Sequence, residues 1–361
     1  MIIIQILPAL NNGGVERGTV DLANFLARQG HVSIVISAAG AMLDKLSDNV
    51  KHINLNIGKK SLLTLLKINQ LKSIFIETKV DIVHARSRLP AWLAYKAISK
   101  IKSNKPKFVT TVHGLYSIKK YSSIMARGDR VISVSKTAND YIVKNYNRYL
   151  KVKPTLIYRG VDIKEFSFGY KPDHSWIQSI YQQHTRLQGH KLVLLPGRLS
   201  AIKGVKQLSI WLHKSTHNAK LILTAHPSND SYTQRLNDWF REQKIEQKII
   251  WIGVQSNMAS LYALVDLVIN VSTRPESFGR TVAESLATGT PVVAYNHGGV
   301  GEILDQVFPQ GKVTLNDQQQ LSDTIDLMLS TQPKVKNIQP FQLTDMLDKT
   351  LNLYKKTVNE I

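Results

Sequence analysis

A chain of 361 residues with 43% hydrophobic and 20% charged residues holds enough apolar material for a sizeable core, which excludes global disorder. It contains no cysteine, which removes disulfides, thiolate metal sites and Cys nucleophiles, and no apolar run approaches the roughly 18 residues that cross a bilayer. Its formal net charge of +21 is lopsided: residues 1–165 carry 27 Lys and Arg against 10 Asp and Glu, so an anionic partner is expected on that half, whether nucleic acid, anionic lipid or a phosphorylated substrate.

In chain order, residues 2–7 form the first apolar run, with no basic segment before it and no small-residue cleavage site after it. The run reads as a buried strand, not a signal peptide, and a reducing cytoplasm is the expected location. Further runs rich in Val, Ile and Leu at 32–37, 80–84, 108–112 and 131–135 suit strands buried on both faces. Amphipathic stretches at 16–29 and 89–101 lie between them. The pattern pauses over 166–188, a polar stretch rich in Gln and His, and resumes with runs at 191–196, 219–224, 248–252, 265–271 and 291–294 and a helix over 279–288. This alternation predicts an α/β protein of two Rossmann-like parallel-sheet domains, 1–165 and 190–340, with a terminal helix over 343–356 that can pack on the first.

Open parallel sheets bind ligands beyond the carboxyl ends of their strands, so the residues there are the candidates. After the first strand, Gly13-Gly14 lets backbone N–H groups approach an anion at a helix start, although an ordinary strand–helix turn explains the pair equally well. It is neither a dinucleotide fingerprint nor a Walker A loop. The strongest constellation is Arg274-Pro-Glu276-Ser277-Phe278-Gly279-Arg280, followed by Glu284 inside the helix. The loop carboxylate and free N–H groups can hold sugar hydroxyls and phosphate oxygens, and the second carboxylate can accept two vicinal hydroxyls, as a ribose presents. Helix-dipole compensation would explain acidic residues near a helix start, but not this spacing together with Gly279 and the segment 287–294.

The segment Glu276–Ala294, followed by Gly298-Gly299-Val300-Gly301-Glu302, resembles the donor-site signature of retaining glycosyltransferase family 4, whose GT-B fold has two Rossmann-like domains facing across a cleft. Similarity extends to Gly13-Gly14-Val15-Glu16, Thr111-Val112-His113-Gly114, Val131–Ser135 and Gly197-Arg198-Leu199 with Lys203-Gly204. The chain departs from the family at Arg159-Gly160-Val161-Asp162, where Asn usually precedes the Gly. Met125–Asp129 and His84–Arg88 are most similar to bacterial lipopolysaccharide-type transferases. The resemblance implies a nucleotide-sugar donor on the second domain and a glycolipid or phosphorylated saccharide acceptor on the first.

On that reading Arg198 and Lys203 meet the donor diphosphate, and neutralising the departing diphosphate is the main electrostatic need of glycosyl transfer. No Asp-x-Asp occurs, so the two cations are expected to serve in place of a metal, and no cofactor is expected. His113, directly after a strand, is the candidate catalytic histidine beside Glu276, and Glu284 is the candidate ribose ligand. His84, Arg86 and Arg88 follow another strand, and the arginines can receive a carboxylate or phosphate of the acceptor. Lys59, Lys60, Lys67, Lys72 and Lys79 are threaded through an apolar stretch. That stretch suits either a helix on the inner face of the cytoplasmic membrane or an ordinary core-facing helix with a solvated lysine edge. The competing class is a basic nucleic-acid-binding protein, against which stand the aliphatic neighbours of the lysines and the absence of an RNA or helix-turn-helix motif. A nicotinamide dehydrogenase would need the missing glycine fingerprint, and a glycosidase needs carboxylates flanking a bond from opposite sides.

Overall fold

In the computed structural model the described residues are 1–59, 61–228 and 230–360, with backbone alone at Leu62 and Leu63. They form two compact units, one built from Met1–Arg159 and the C-terminal segment from Thr344, the other from Gly160–Leu343.

The first unit holds a parallel sheet of β1 (Ile2–Ala9), β2 (Val32–Ala38), β3 (Val50–Asn54), β4 (Ile82–Ala85), β5 (Lys107–Val112), β6 (Arg130–Ser133) and β7 (Thr155–Leu156) in the order β3-β2-β1-β4-β5-β6-β7. Helices α1 (Gly14–Arg28), α2 (Leu62–Glu77), α3 (Arg88–Ser99) and α4 (Lys136–Tyr146) connect the strands. Successive residues of β1, Ile3, Ile4, Ile6 and Leu7, are all fully buried, because helices cover both faces of the sheet. Strand β3 lies at an edge, with Val50 buried, Lys51 and Asn54 exposed and the residues between them half-buried, so it carries no continuous apolar run.

The second unit repeats the plan with β8 (Lys191–Leu195), β9 (Ala219–Leu223), β10 (Ile249–Trp251), β11 (Leu267–Asn270), β12 (Val292–Tyr295) and β13 (Lys312–Val313), all parallel, in the order β10-β9-β8-β11-β12-β13. Its helices are α5 (His174–Gln183), α6 (Ser209–Lys214), α7 (Ser231–Glu242), α8 (Met258–Leu264), α9 (Arg280–Thr288), α10 (Gly298–Val307) and α11 (Gln318–Thr331). The polar stretch between the two strand series thus carries a helix, α5, of which only Ile180 is buried.

The chain enters the second unit at Gly160 and leaves it at Leu343, and the two passages run side by side. Val161 N–H donates to Phe341 O at 2.8 Å and Leu343 N–H to Val161 O at 2.9 Å. A Cβ on Gly160 would stand 2.3 Å from the Leu343 Cα, so no larger residue fits without moving backbone. The C-terminal helix (Leu343–Asn359) packs on the first unit: Tyr354, fully buried, places its hydroxyl 2.6 Å from His84 Nδ1.

Both sheets reverse their winding once, between β1 and β4 and between β8 and β11. Loops leaving such neighbouring strands turn to opposite faces and open a crevice at the carboxyl ends.

Candidate functional site

At the β8/β11 reversal, the loop after β8 brings Lys203 and the loop after β11 brings Glu276, with Nζ 2.7 Å from Oε1. Residues 73 apart in sequence meet because their strands are neighbours in the sheet. Ser272 Oγ donates to the same carboxylate oxygen at 2.6 Å and Asn270 Nδ2 at 3.3 Å. Burial would push the Glu276 carboxyl up, but Lys203 and these hydrogen bonds outweigh it and hold it below its ordinary value. Two glycines fix the loop. Gly279, at φ 100°, caps α9 in the left-handed region. Gly299 N–H donates to Glu276 O at 2.8 Å across a gap where a Cβ would lie 2.5 Å from the Phe278 Cα. His297, the residue before α10, lies 2.7 Å from Ser272 O through Nε2. A carbonyl only accepts, so Nε2 carries the proton there.

Glu284, one turn into α9, is 5% exposed and has separate partners. Arg280 Nε donates to Oε1, and Tyr262 O–H donates to Oε2 at 3.1 Å. Burial raises its carboxyl above the ordinary value, with Arg280 and Tyr262 opposing. Among the described residues it shares no hydrogen-bond partner with Glu276. Arg198 is exposed at the start of the β8 loop. Ser277, next to Glu276 in sequence, is half-buried, whereas Phe278 is 3% exposed and stacks edge-to-face on Phe341 at 5.5 Å, so its ring belongs to the core and only its backbone can face a ligand.

In the first unit the carboxyl ends of β1, β4 and β5 supply the glycine loop, Arg86 and His113. Gly13 caps α1 and Gly14 opens it. The Gly14 carbonyl accepts from the Arg159 guanidinium. A Cβ at Gly18 would come within 3.0 Å of Arg159 Nη2 and 3.3 Å of Arg86 Nη2, so α1 presents a glycine face to two cations. The residue that departs from the family pattern therefore braces the glycine loop. Arg86 is 5% exposed and donates to Gln5 Oε1 at 3.0 Å; desolvation lowers its pKa to about 10. This corrects the expectation of an arginine open to the acceptor. His84 is corrected likewise: 1% exposed, it sits between Tyr354 and Thr111, with Nε2 2.7 Å from Thr111 Oγ1. Both arise because β4 runs centrally in the sheet: Arg86 lies against Gly18 of α1, and His84 is covered by Tyr354 of the C-terminal helix. Arg88, further along, reaches the half-buried surface and donates to Ser122 Oγ at 3.1 Å.

His113 is half-buried, with both ring nitrogens shielded from solvent. It borders a small cavity of about 20 Å³, space for one water, with His84, Arg86, Thr111 and Arg159. Burial, then the charges of Arg86 and Arg159, hold the imidazole well below its usual pKa and therefore neutral.

The apolar side of α2 packs inward through Ile68, Leu71 and Phe75, which excludes that face from a membrane; Leu65 and Leu66 remain 47% and 68% exposed near Lys59 and Lys67. Lys60 lies outside the described residues. Lys72, Lys79, Lys100, Lys102, Lys105 and Lys107 line a groove of about 840 Å³ at the opposite, amino ends of β4 and β5. Among the described residues no group of three His, Asp or Glu could hold a metal ion, and no helix is long and apolar enough to cross a membrane.

Both halves of the chain have counterparts among known proteins. Residues 12–165 match the family model Glycosyltransferase Family 4, and residues 177–341 match Glycosyl transferases group 1. A glycosyltransferase crystal structure from Rickettsia africae is 30% identical, with a TM-score of 0.86 over 100% of this chain and 99% of that one. Anabaena HepE in complex with UDP and glucose is 20% identical, with a TM-score of 0.78 over 99% of this chain and 100% of that one, a likeness of fold. An uncharacterized glycosyltransferase of Methanocaldococcus jannaschii is 29% identical over 54% of this chain, which spans about half (47%) of that relative's length.

Proposed function

The chain belongs to glycosyltransferase family 4, with two GT-B-type Rossmann-like domains, and we propose that it moves a sugar from a nucleotide-sugar donor to a saccharide or glycolipid acceptor with retention of configuration. The observation that carries this reading is the Lys203–Glu276 pair at the β8/β11 reversal. A cation and a carboxylate held side by side suit a diphosphate next to a sugar. Lys203 and Arg198 stabilise charge as the diphosphate departs. Ionised Glu276 accepts from donor hydroxyls, and Glu284 has lone pairs left for a ribose after Arg280 and Tyr262 are served. Neutral His113 can accept a hydrogen bond from a sugar or acceptor hydroxyl. Proton uptake by the leaving diphosphate on the same face would complete the transfer.

The likeness of Met125–Asp129 and His84–Arg88 to lipopolysaccharide-type transferases supports an envelope-glycan acceptor. The exposed Leu65 and Leu66 beside Lys59 and Lys67 support peripheral contact with the inner face of the cytoplasmic membrane. Lys59→Glu with Lys67→Glu is expected to release the protein from anionic liposomes in co-sedimentation, and undiminished binding would remove this patch. The nucleic-acid-binding alternative gains no support from the matched families.

A thermal-shift series with UDP-, GDP- and ADP-sugars at fixed salt tests the reading. One nucleotide is expected to stabilise the protein selectively, with EDTA making no difference. Glu284→Ala should weaken that nucleotide by about 10–100-fold, the loss of hydrogen bonds to a charged group. Unchanged affinity would take Glu284 out of the donor site.

A further inference from the structure

Arg88 opens α3, three residues beyond the end of β4, and its guanidinium lies 4.9 Å from the ring centroid of Tyr116 and 5.4 Å from that of Tyr121. Its Nη1 donates to Ser122 Oγ at 3.1 Å. Among the described residues no carboxylate pairs with it, whereas Lys203, Arg280 and Arg17 all have one. The clamp is itself pinned. Trp92 Nε1 donates to Tyr121 O at 2.8 Å, and the Tyr116 hydroxyl accepts from the His113 backbone N–H at 3.3 Å. One tyrosine side chain therefore separates the cation from His113.

A guanidinium has five N–H donors in a rigid fork that matches two oxygens of a carboxylate or phosphate, and Ser122 takes only one of them. Two aromatic faces attract the cation and fix its plane, so the entropy of ordering a long side chain is spent before any ligand arrives. A structural brace alone would gain as much from a lysine-length stem or a neighbouring carboxylate. Exposed Lys119 and Lys120 precede Tyr121, so the surrounding charge has the same sign. Tyrosine rings at this edge also offer flat apolar faces of the kind a sugar ring covers.

We propose that Arg88, clamped by Tyr116 and Tyr121, is the anchor for an anionic group on the acceptor, a carboxylate or phosphate about one sugar ring from the hydroxyl that attacks near His113. The acceptor class is then an anionic saccharide, such as a uronate or a sugar phosphate. This deepens the transferase reading and rests on it.

The test titrates wild type, Arg88→Gln and Tyr121→Leu with hexose 6-phosphates, hexuronates and the matching neutral hexoses by calorimetry at fixed salt, with UDP and GDP as donor-side controls. Wild type is expected to bind at least one anionic sugar tenfold or more tighter than its neutral counterpart. Arg88→Gln should erase that preference and Tyr121→Leu should weaken it severalfold, with nucleotide affinity unchanged in both. No preference in wild type, or a preference that survives both substitutions, overturns the proposal. If Arg88→Gln melts early, Tyr121→Leu decides, since it leaves the charge in place. Loss of nucleotide binding in wild type alongside an intact Arg88-dependent preference would sink the transferase reading and leave the anion site standing.

Discussion

Lys203→Ala is expected to lower kcat by about 10²–10³-fold at saturating donor, the scale seen when one donor to developing negative charge is removed. Its ammonium is the partner that brings the Glu276 carboxyl down against burial, so the substitution has a second effect at the same site. In wild type the folded-state pKa of Glu276 lies below its unfolded value. The carboxylate therefore contributes stability at pH above the ordinary carboxylate range and loses it as pH falls through the folded value. Without Lys203 the main influence opposing burial is gone, the folded pKa moves up towards the unfolded one, and this stabilising contribution shrinks, with only Ser272 and Asn270 left to hold the carboxylate. The side chains are 25% and 24% exposed, so the pair is worth less than a fully buried one, and a loss of about 1–3 kcal/mol at neutral pH is expected. Lys203→Arg keeps the charge and should recover most of the stability. Steady-state kinetics together with urea unfolding at pH 7 and 4.5 separate the two effects. Near-wild-type kcat in Lys203→Ala would remove Lys203 from the diphosphate site, whatever the stability data show.

The strands legible in the sequence are those buried on both faces. Runs such as 2–7 and 219–224 are predominantly apolar because β1 and β9 are largely buried on both sides. Three of the four edge strands escaped, β10 being the exception: β3 has only Val50 fully buried, and β7 and β13 are two residues each. The polar segment at 174–183 gives little apolar periodicity, since α5 buries one side chain. At the site, the Glu276–Glu284 spacing is local and could be read directly. The Lys203–Glu276 contact, across 73 residues, depended on strand order that periodicity alone does not specify. Residue type failed where position in the sheet decided exposure: an arginine after a strand reads as surface, yet Arg86 lies under α1, and Phe278 inside the motif serves the core. Asn270, Ser272 and Tyr262 carry no signal of their own, because they act only by holding a carboxylate.

The first unit is expected to lose stability as pH falls through 6.5, with a slope that approaches about 2.7 kcal/mol per pH unit roughly a unit lower, twice the 1.36 kcal/mol that one differential proton contributes. Two imidazoles set this slope. Burial, then Arg86, keeps the His84 pKa well below its usual 6.5; burial, then Arg86, Arg159 and His84, does the same to His113. Unfolded, both bind a proton near 6.5; folded, neither does. Below that value the unfolded chain takes up protons that the native unit cannot, so stability falls as pH falls, until each folded pKa is reached. The carboxylates held low, Glu276 and Asp230, belong to the second unit and titrate further into the acid range. His31 and His52 are also lowered but are partly solvated, and they steepen the slope only slightly. Native-state hydrogen exchange of the β4 and β5 amides between pH 7 and 5.5 isolates this unit from the other. His84→Gln should halve the slope, and it should cost stability at pH 7, where Tyr354 and Thr111 lose an imidazole fitted between them at 2.6 and 2.7 Å. A flat wild-type profile would mean that both imidazoles take their protons in the native unit. The cavity beside Arg86 and Arg159 would then have to carry two further positive charges at the spot where two cations already meet α1.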